Sequence, residues 1–177
     1  MRFNKIMMAL TMVLAIFAST ALQAQDNKAQ RPSPPKTVVR QLDSLSINVV
    51  YNAPSVKGRS IWGALVPYGK VWRTGANEAT TFEVNKPVII EGQKLAAGKY
   101  SLFTIPGEKE WTVIFNKEAS QWGAYSYKKE MDALRVSVKP GKSKLFVEQL
   151  AIDVSEKGEV SVAWENVQIS FEVKEAK

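Results

Sequence analysis

The chain has 177 residues, 45% hydrophobic and 23% charged, with a formal net charge of +7 and neither cysteine nor histidine. That composition is ordinary for a globular protein and excludes wholesale disorder. Without cysteine there are no disulfides, thiolate nucleophiles or thiolate metal sites, and without histidine no Ser-His-Asp triad, Cys-His pair or ordinary catalytic zinc site; no metal or cofactor is expected, and any proton transfer falls to Asp, Glu, Lys or Tyr.

Residues 1–24 read as a cleavable secretory signal. Arg2 and Lys5 form a basic start, Ile6 to Ala18 an apolar run of 13 residues, and Ser19, Ala21 and Ala24 the small residues of a cleavage region. The run is too short for a membrane span, so no integral span is expected. Cleavage fits after Ala21 or Ala24, with Ala24 favoured, and predicts an exported protein, periplasmic or extracellular. What remains is about 150 residues, the usual size of one domain. It carries 22 bases against 17 acids. That excess suits acidic ligands but is too dispersed for nucleic acid, and no nucleic-acid partner is expected. Residues 25–35, with Pro32, Pro34 and Pro35, read as an extended tether. The domain is placed at 36–177.

From Thr37 onward the chain alternates with period two, the repeat of a strand with one buried face. Thr37 to Leu42 is the first predicted strand. Leu45, Ile47, Val49 and Tyr51 line one face of the second. Ala53 to about Asn77 is irregular. Thr80, Phe82 and Val84 resume the pattern, Val88 to Glu91 is short and ends at Gly92, and Lys99 to Ile105 follows, with Tyr100 and Leu102 opposed to Ser101 and Phe103. After the Pro106-Gly107 turn come Trp111, Val113 and Phe115. Lys117 to Met131 is irregular again. Leu134, Val136 and Val138 precede a Pro140-Gly141 turn, and Phe146, Glu148, Leu150, Ile152 and Val154 share one face of a longer strand. Lys157-Gly158 turns into Val160, Val162 and Trp164, Asn166 marks another turn, and Val167, Ile169, Phe171 and Val173 close the domain. About ten short strands without a long amphipathic helix predict an all-β, antiparallel β-sandwich of jelly-roll-like type, with an open β-barrel as the alternative.

The segment 54–80 is dense in Gly, aromatics and bases. It contains Lys57-Gly58-Arg59 and the run Val66-Pro67-Tyr68-Gly69-Lys70-Val71-Trp72-Arg73-Thr74-Gly75-Ala76-Asn77-Glu78-Ala79-Thr80. With Ala97-Gly98-Lys99-Tyr100, Trp111-Thr112-Val113-Ile114 and Gln121-Trp122-Gly123, it resembles the bacterial domain-of-unknown-function family numbered 2911, over nearly all of the chain after the signal. The resemblance implies an exported β-rich domain and assigns no activity.

A connection this long inside a small domain is usually functional or locally structured. Arg59, Lys70 and Arg73 stand beside Tyr68 and Trp72, and Asn77 and Glu78 add an amide and a carboxylate. Guanidinium groups can grip a carboxylate, phosphate or sulfate with a planar fork, and an aromatic face can stack on a ring such as a sugar. Trp122, with Tyr125, is a candidate opposite wall. The structural alternative makes Trp62 and Trp72 core residues, and has Arg59 and Arg73 pair with Glu78, Glu83 or Asp132 or hold loop carbonyls.

Three functions compete. The first is a non-catalytic binding module for a carbohydrate or small anionic ligand at the 54–78 loop, using Arg59, Tyr68, Lys70, Trp72, Arg73, Asn77, Glu78 and Trp122. The second is a histidine-free hydrolase or lyase pairing Glu78 with Glu148 or Asp132, or using Tyr68 as base beside Arg59. The third is an envelope structural or interaction protein. No catalytic residue is assigned. Glu148, on an otherwise apolar face, would need a cation such as Arg73 or Arg135 if buried.

Overall fold

Ten strands form two antiparallel sheets in the computed structural model, which describes residues 30–177. The signal read over residues 1–24, and the part of the tether before residue 30, lie outside the described residues. The strands are β1 (Pro35–Leu42), β2 (Leu45–Asn52), β3 (Thr80–Val84), β4 (Val88–Ile90), β5 (Gln93–Leu95), β6 (Gly98–Ile105), β7 (Trp111–Asn116), β8 (Asp132–Val138), β9 (Gly141–Val154) and β10 (Glu159–Glu175). Sheet one has the order β1-β2-β3-β6-β7-β8 and sheet two the order β5-β4-β10-β9. The two are separate open sheets, not a closed barrel. The sandwich read from the alternation is the fold.

The alternation is realised residue by residue. Leu45, Ile47, Val49 and Tyr51 of β2 are buried, as are Phe82 and Val84 of β3 and Leu150, Ile152 and Val154 of β9. These side chains meet between the sheets in one apolar core that also takes Trp111, Trp164 and Phe171. The sheet edges are laced together by side chains. Arg40 of β1 donates from Nε to the Val154 carbonyl at the end of β9 (2.8 Å), and Tyr51 accepts the Ile152 N–H at its hydroxyl (3.1 Å).

Several local expectations change. The first strand starts at Pro35, and the Pro34 carbonyl accepts the Ala53 N–H (2.9 Å), so the chain is sheet-bound two residues before Thr37. Gln93–Leu95 forms a strand that the sequence pattern did not show, because three residues are too few for a period. Asn166 is not a turn: β10 runs through it, with register shifts around Glu165, whose φ of 55° marks a bulge. Phe146 and Glu148 are exposed, because the first half of β9 runs past the shared core. Glu148 therefore needs no buried cation; its carboxylate accepts the Lys57 N–H (2.9 Å). Gly158 is required by its turn, with φ at 83° and a Cβ there falling 2.2 Å from the Val173 carbonyl oxygen.

β6 and β7 are buried on both faces. Phe103 and Ile114 point away from the main core and form a second apolar cluster with Ala79, covered by Val71, Ile105, Ala124 and Tyr127. The two irregular stretches supply this cover, which places them against the rigid centre of sheet one.

Four tryptophans close one part of the interior. Trp62 packs edge-on against Trp72 (5.8 Å), Trp111 (4.9 Å) and Trp164 (5.9 Å), and Trp72 stacks on Trp164 at 5.8 Å with planes 14° apart. Trp122, by contrast, is 57% exposed. Trp164→Ala should destabilise the protein by about 3–5 kcal/mol in urea unfolding, the range for deleting a large buried aromatic. Trp122→Ala, at a side chain more than half exposed, should cost less than Trp164→Ala.

Candidate functional site

The 53–79 connection is ordered by backbone pairing to both sheets and by turns within itself. Its first part runs along β9: the Val56 N–H donates to the Glu148 carbonyl (2.7 Å), and the Leu150 N–H donates to the Pro54 carbonyl (2.9 Å). A compact set of turns follows, in which Val66 donates to the Ile61 carbonyl (2.9 Å) and Gly63 to the Val66 carbonyl (2.9 Å). The chain then lies beside the end of β6, where Trp72 and Thr104 exchange both backbone hydrogen bonds (2.8 and 2.9 Å). It returns over β2, with Ala76 donating to the Asn52 carbonyl (3.1 Å), and ends against the second irregular stretch. There Ala79 donates to Gln121 and Gly123 to Asn77, both at 2.9 Å.

The tight return at 74–76 is strained and held. Thr74 has φ at 52°, a left-handed conformation costly for a β-branched residue. Its hydroxyl meets that of Thr104 (3.1 Å), and its carbonyl accepts the Thr80 hydroxyl (2.7 Å). Gly75 lies so close to β2 that a Cβ would fall 2.9 Å from the Asn52 carbonyl oxygen. The Gly75 carbonyl accepts the Trp72 indole N–H (3.1 Å).

Under this cap lies a cavity of about 200 Å³ lined by Arg59, Leu65, Trp72, Arg73 and Trp164, with Ser33 at its edge. The two arginines play different parts. Arg59 is exposed and grips its own loop, donating to the Ser55 (2.5 Å) and Val56 (3.0 Å) carbonyls. This is the structural role foreseen as an alternative. Arg73 is half-buried, and its guanidinium makes no hydrogen bond or ion pair with the described residues; its Nε–H is buried and unpaired. It does not pair with Glu78, Glu83 or Asp132. Burial pushes its pKa down from the ordinary arginine value, and the neighbouring Tyr125 hydroxyl partly offsets this. Arginine stays charged in proteins, so the shift expresses a desolvated cation without a counter-charge. The Trp164 indole N–H is buried and unpaired, as is that of Trp62 next to it. Two of the residues lining the cavity, Arg73 and Trp164, thus each carry a buried donor without an acceptor.

The remaining candidates fall elsewhere. Tyr68 lies over Gly63, 3.1 Å from where a Cβ would stand, and Tyr68 and Lys70 are exposed away from the cavity wall. Asn77 donates to the Ser33 carbonyl (3.2 Å). Glu78 accepts from the Asn52 amide (3.1 Å) and lines a separate groove with Trp122. Trp122 is therefore no wall of the arginine cavity. The carboxylates considered for catalysis are held apart by different partners: Glu78 by Asn52, Glu148 by Lys57, and Asp132 by Asn116, Tyr127 and Arg135. Among the described residues no group of three or more acids could hold a metal ion, and no helix is long and apolar enough to cross a membrane. One contributor escaped sequence reasoning: Trp164 showed only core alternation, which says nothing of an unpaired indole N–H.

The second stretch, 117–131, is fastened by a polar latch. Tyr127 packs on Phe103 (5.2 Å) and donates its hydroxyl to Asp132 Oδ2 (2.7 Å), which Arg135 also reaches (3.3 Å).

These features define an antiparallel β-sandwich whose long connection caps a small, cation-bearing cavity. The family model described as "Protein of unknown function (DUF2911)" matches residues 33–173, and the chain belongs to that family. No curated protein and no solved structure matches it.

The Tyr127 latch predicts a pH effect. Burial first, and then the hydrogen bond to Asp132, push the Tyr127 pKa up from 10.0 to about 12. The neutral hydroxyl is the form the fold favours, so its contribution is complete below pH 10 and is lost as pH rises toward 12. Urea midpoints should fall over that window, and Tyr127→Phe should flatten the fall. The variant should keep some slope, because burial also raises Tyr51 and Tyr100.

Proposed function

We propose that the protein is an exported, non-catalytic binding module whose cap cavity takes the anionic head of a small ligand, a carboxylate by preference. Arg73 carries this reading: a half-buried guanidinium with no partner among the described residues, on the wall of a cavity where Trp164 contributes a second unpaired donor. A structural arginine finds carbonyls or carboxylates, as Arg59 does. An arginine left desolvated and uncompensated lowers stability, and is the pattern expected where a ligand supplies the missing charge. An anion suits the Arg73 guanidinium because it is an acceptor without protons to place. The volume, about 200 Å³, is below the usual 300–1,000 Å³ of drug-sized sites and fits a small head group. Export rests on the basic, apolar and small-residue sequence of positions 1–24.

Thermal unfolding with acetate, benzoate, phosphate and sulfate at matched ionic strength tests the reading. A carboxylate should raise Tm in step with the logarithm of its concentration, by the equivalent of about 2.7 kcal/mol at a hundredfold excess over Kd. Arg73→Met should abolish that rise while the ligand-free Tm stays equal to or above the parent's. A lower ligand-free Tm in Arg73→Met, together with no anion effect on the parent, would show that Arg73 is structural.

A further inference from the structure

The first half of β9 carries a second, independent set of features. Leu145 and Phe146 are consecutive large apolar residues, and they are 78% and 55% exposed. The register with β10 shows how they come to stand out. Val147 lies opposite Glu165 and Lys142 opposite Val167, so β9 advances five residues while β10 advances two. The surplus residues, 143–146, bow out of the ladder as an enlarged bulge. The base of this bulge is fixed. Leu150, Ile152 and Val154 farther along the strand are buried in the main core, and Pro54 and Val56 hydrogen-bond to the strand at Leu150 and Glu148.

Lysines accompany the apolar pair. Lys139, Lys142 and Lys144 are all exposed, and positions 139–147 contain no acid. None of these three lysines makes an ion pair among the described residues. The next carboxylate along the strand, Glu148, accepts the Lys57 N–H (2.9 Å), which brings exposed Lys57 alongside as a further cation. On β10 the facing stretch 165–168 contributes one acid, Glu165. Cations are therefore in excess around Leu145 and Phe146. A lone apolar side chain on a surface needs no explanation, but a contiguous pair set among unpaired like charges does, because neither the exposed rings nor the mutual repulsion stabilises the fold.

We infer that this bulge is a membrane-docking tip, in which Leu145 and Phe146 enter the boundary between headgroups and acyl chains of an anionic bilayer while Lys139, Lys142 and Lys144 meet its lipid phosphates. The two features together select the occupant. Cations alone would suit any polyanion, but only a lipid surface offers an apolar layer directly beneath its negative charge. The lysine stems can lie along that boundary with their ammonium groups at the phosphates. A second copy of the chain fits less well, since edge-to-edge pairing would bring Lys142 and Lys144 of each copy together, and lysines on an edge strand are a device that resists such association. Two apolar side chains make a weak anchor by themselves, so docking is reversible and needs the charges as well. The tip shares no residue with the Arg73 cavity, and this inference does not rest on the anion reading.

The test is vesicle flotation with the chain from Gln25 onward, which keeps all ten strands and both apolar clusters and lacks the apolar run that would itself bind lipid. Vesicles are phosphatidylcholine alone, or phosphatidylcholine with about 30% phosphatidylglycerol to supply anionic headgroups. The protein should float with the phosphatidylglycerol vesicles at about 0.05 M NaCl, less so at about 0.5 M, where charges are screened, and not with phosphatidylcholine alone. Lys142→Gln/Lys144→Gln should weaken partitioning about thirtyfold, at about fivefold for each lysine near the surface. Leu145→Ser/Phe146→Ser should weaken it at least about tenfold. Both double variants change exposed side chains and should keep the parent's Tm. Arg73→Met should float as the parent does. Absence of flotation with phosphatidylglycerol at low salt overturns the inference. So does unchanged partitioning of Leu145→Ser/Phe146→Ser, which would mark charge adsorption without insertion. A dimer in sedimentation velocity that Leu145→Ser/Phe146→Ser dissolves, with no vesicle binding by the parent, would assign the tip to a second copy and equally overturn it.

Discussion

The contact among Trp62, Trp72, Trp111 and Trp164 is the constraint on which the rest of the architecture depends. Trp111 and Trp164 come from β7 and β10, one in each sheet, while Trp62 and Trp72 come from the long connection. The four rings therefore join side chains of both sheets to the connection that is hydrogen-bonded along each of them. Apolar burial of rings this size is among the largest single gains a core can make. It offsets the entropy of ordering a long segment and the strain at Thr74, neither of which a flexible surface loop would tolerate. The cap is in effect a third layer of the core, so the cavity beneath it has fixed walls.

That packing has a polar cost, and the cost is unevenly distributed. Around the cap, the buried side-chain polar atoms without partners are the Trp62 and Trp164 indole N–H groups, the Arg73 Nε–H and the amide oxygen of Asn52, beside Gly75 and Ala76. Away from the cap they are the amide oxygens of Asn48 and Gln121. Native proteins leave few such groups, and each one calls for an explanation.

Much of the fold was legible because alternation is a direct readout of which face meets the core. Leu45, Ile47, Val49 and Tyr51 announced their burial, and Gly158 announced its turn. The failures share a cause. β5 is too short to show a period, Glu165 hides a bulge that local sequence cannot distinguish from the turn read at Asn166, and Phe146 alternates correctly on a strand that outruns its partner sheet. The site was half legible. The segment was identifiable from its density of Gly, Arg and Trp, but the division of labour within it was not. Arg59 and Arg73 look alike in sequence and differ only in whether a carbonyl stands within reach. Trp72 and Trp122 likewise look alike in sequence, and one is a core residue while the other is 57% exposed.

If the tryptophan contact fixes the cap as core, the cap and the sheets must open together. Amide hydrogen exchange resolves this directly. The amides of Val66, Trp72, Ala76 and Thr80, which donate to carbonyls within or beside the cap, should exchange only through global unfolding, at the same free energy as the central amides of β2 and β6. Exchange of these four about a hundredfold faster than the sheet amides, with the sheets still protected, would show that the cap opens on its own and contradict the account.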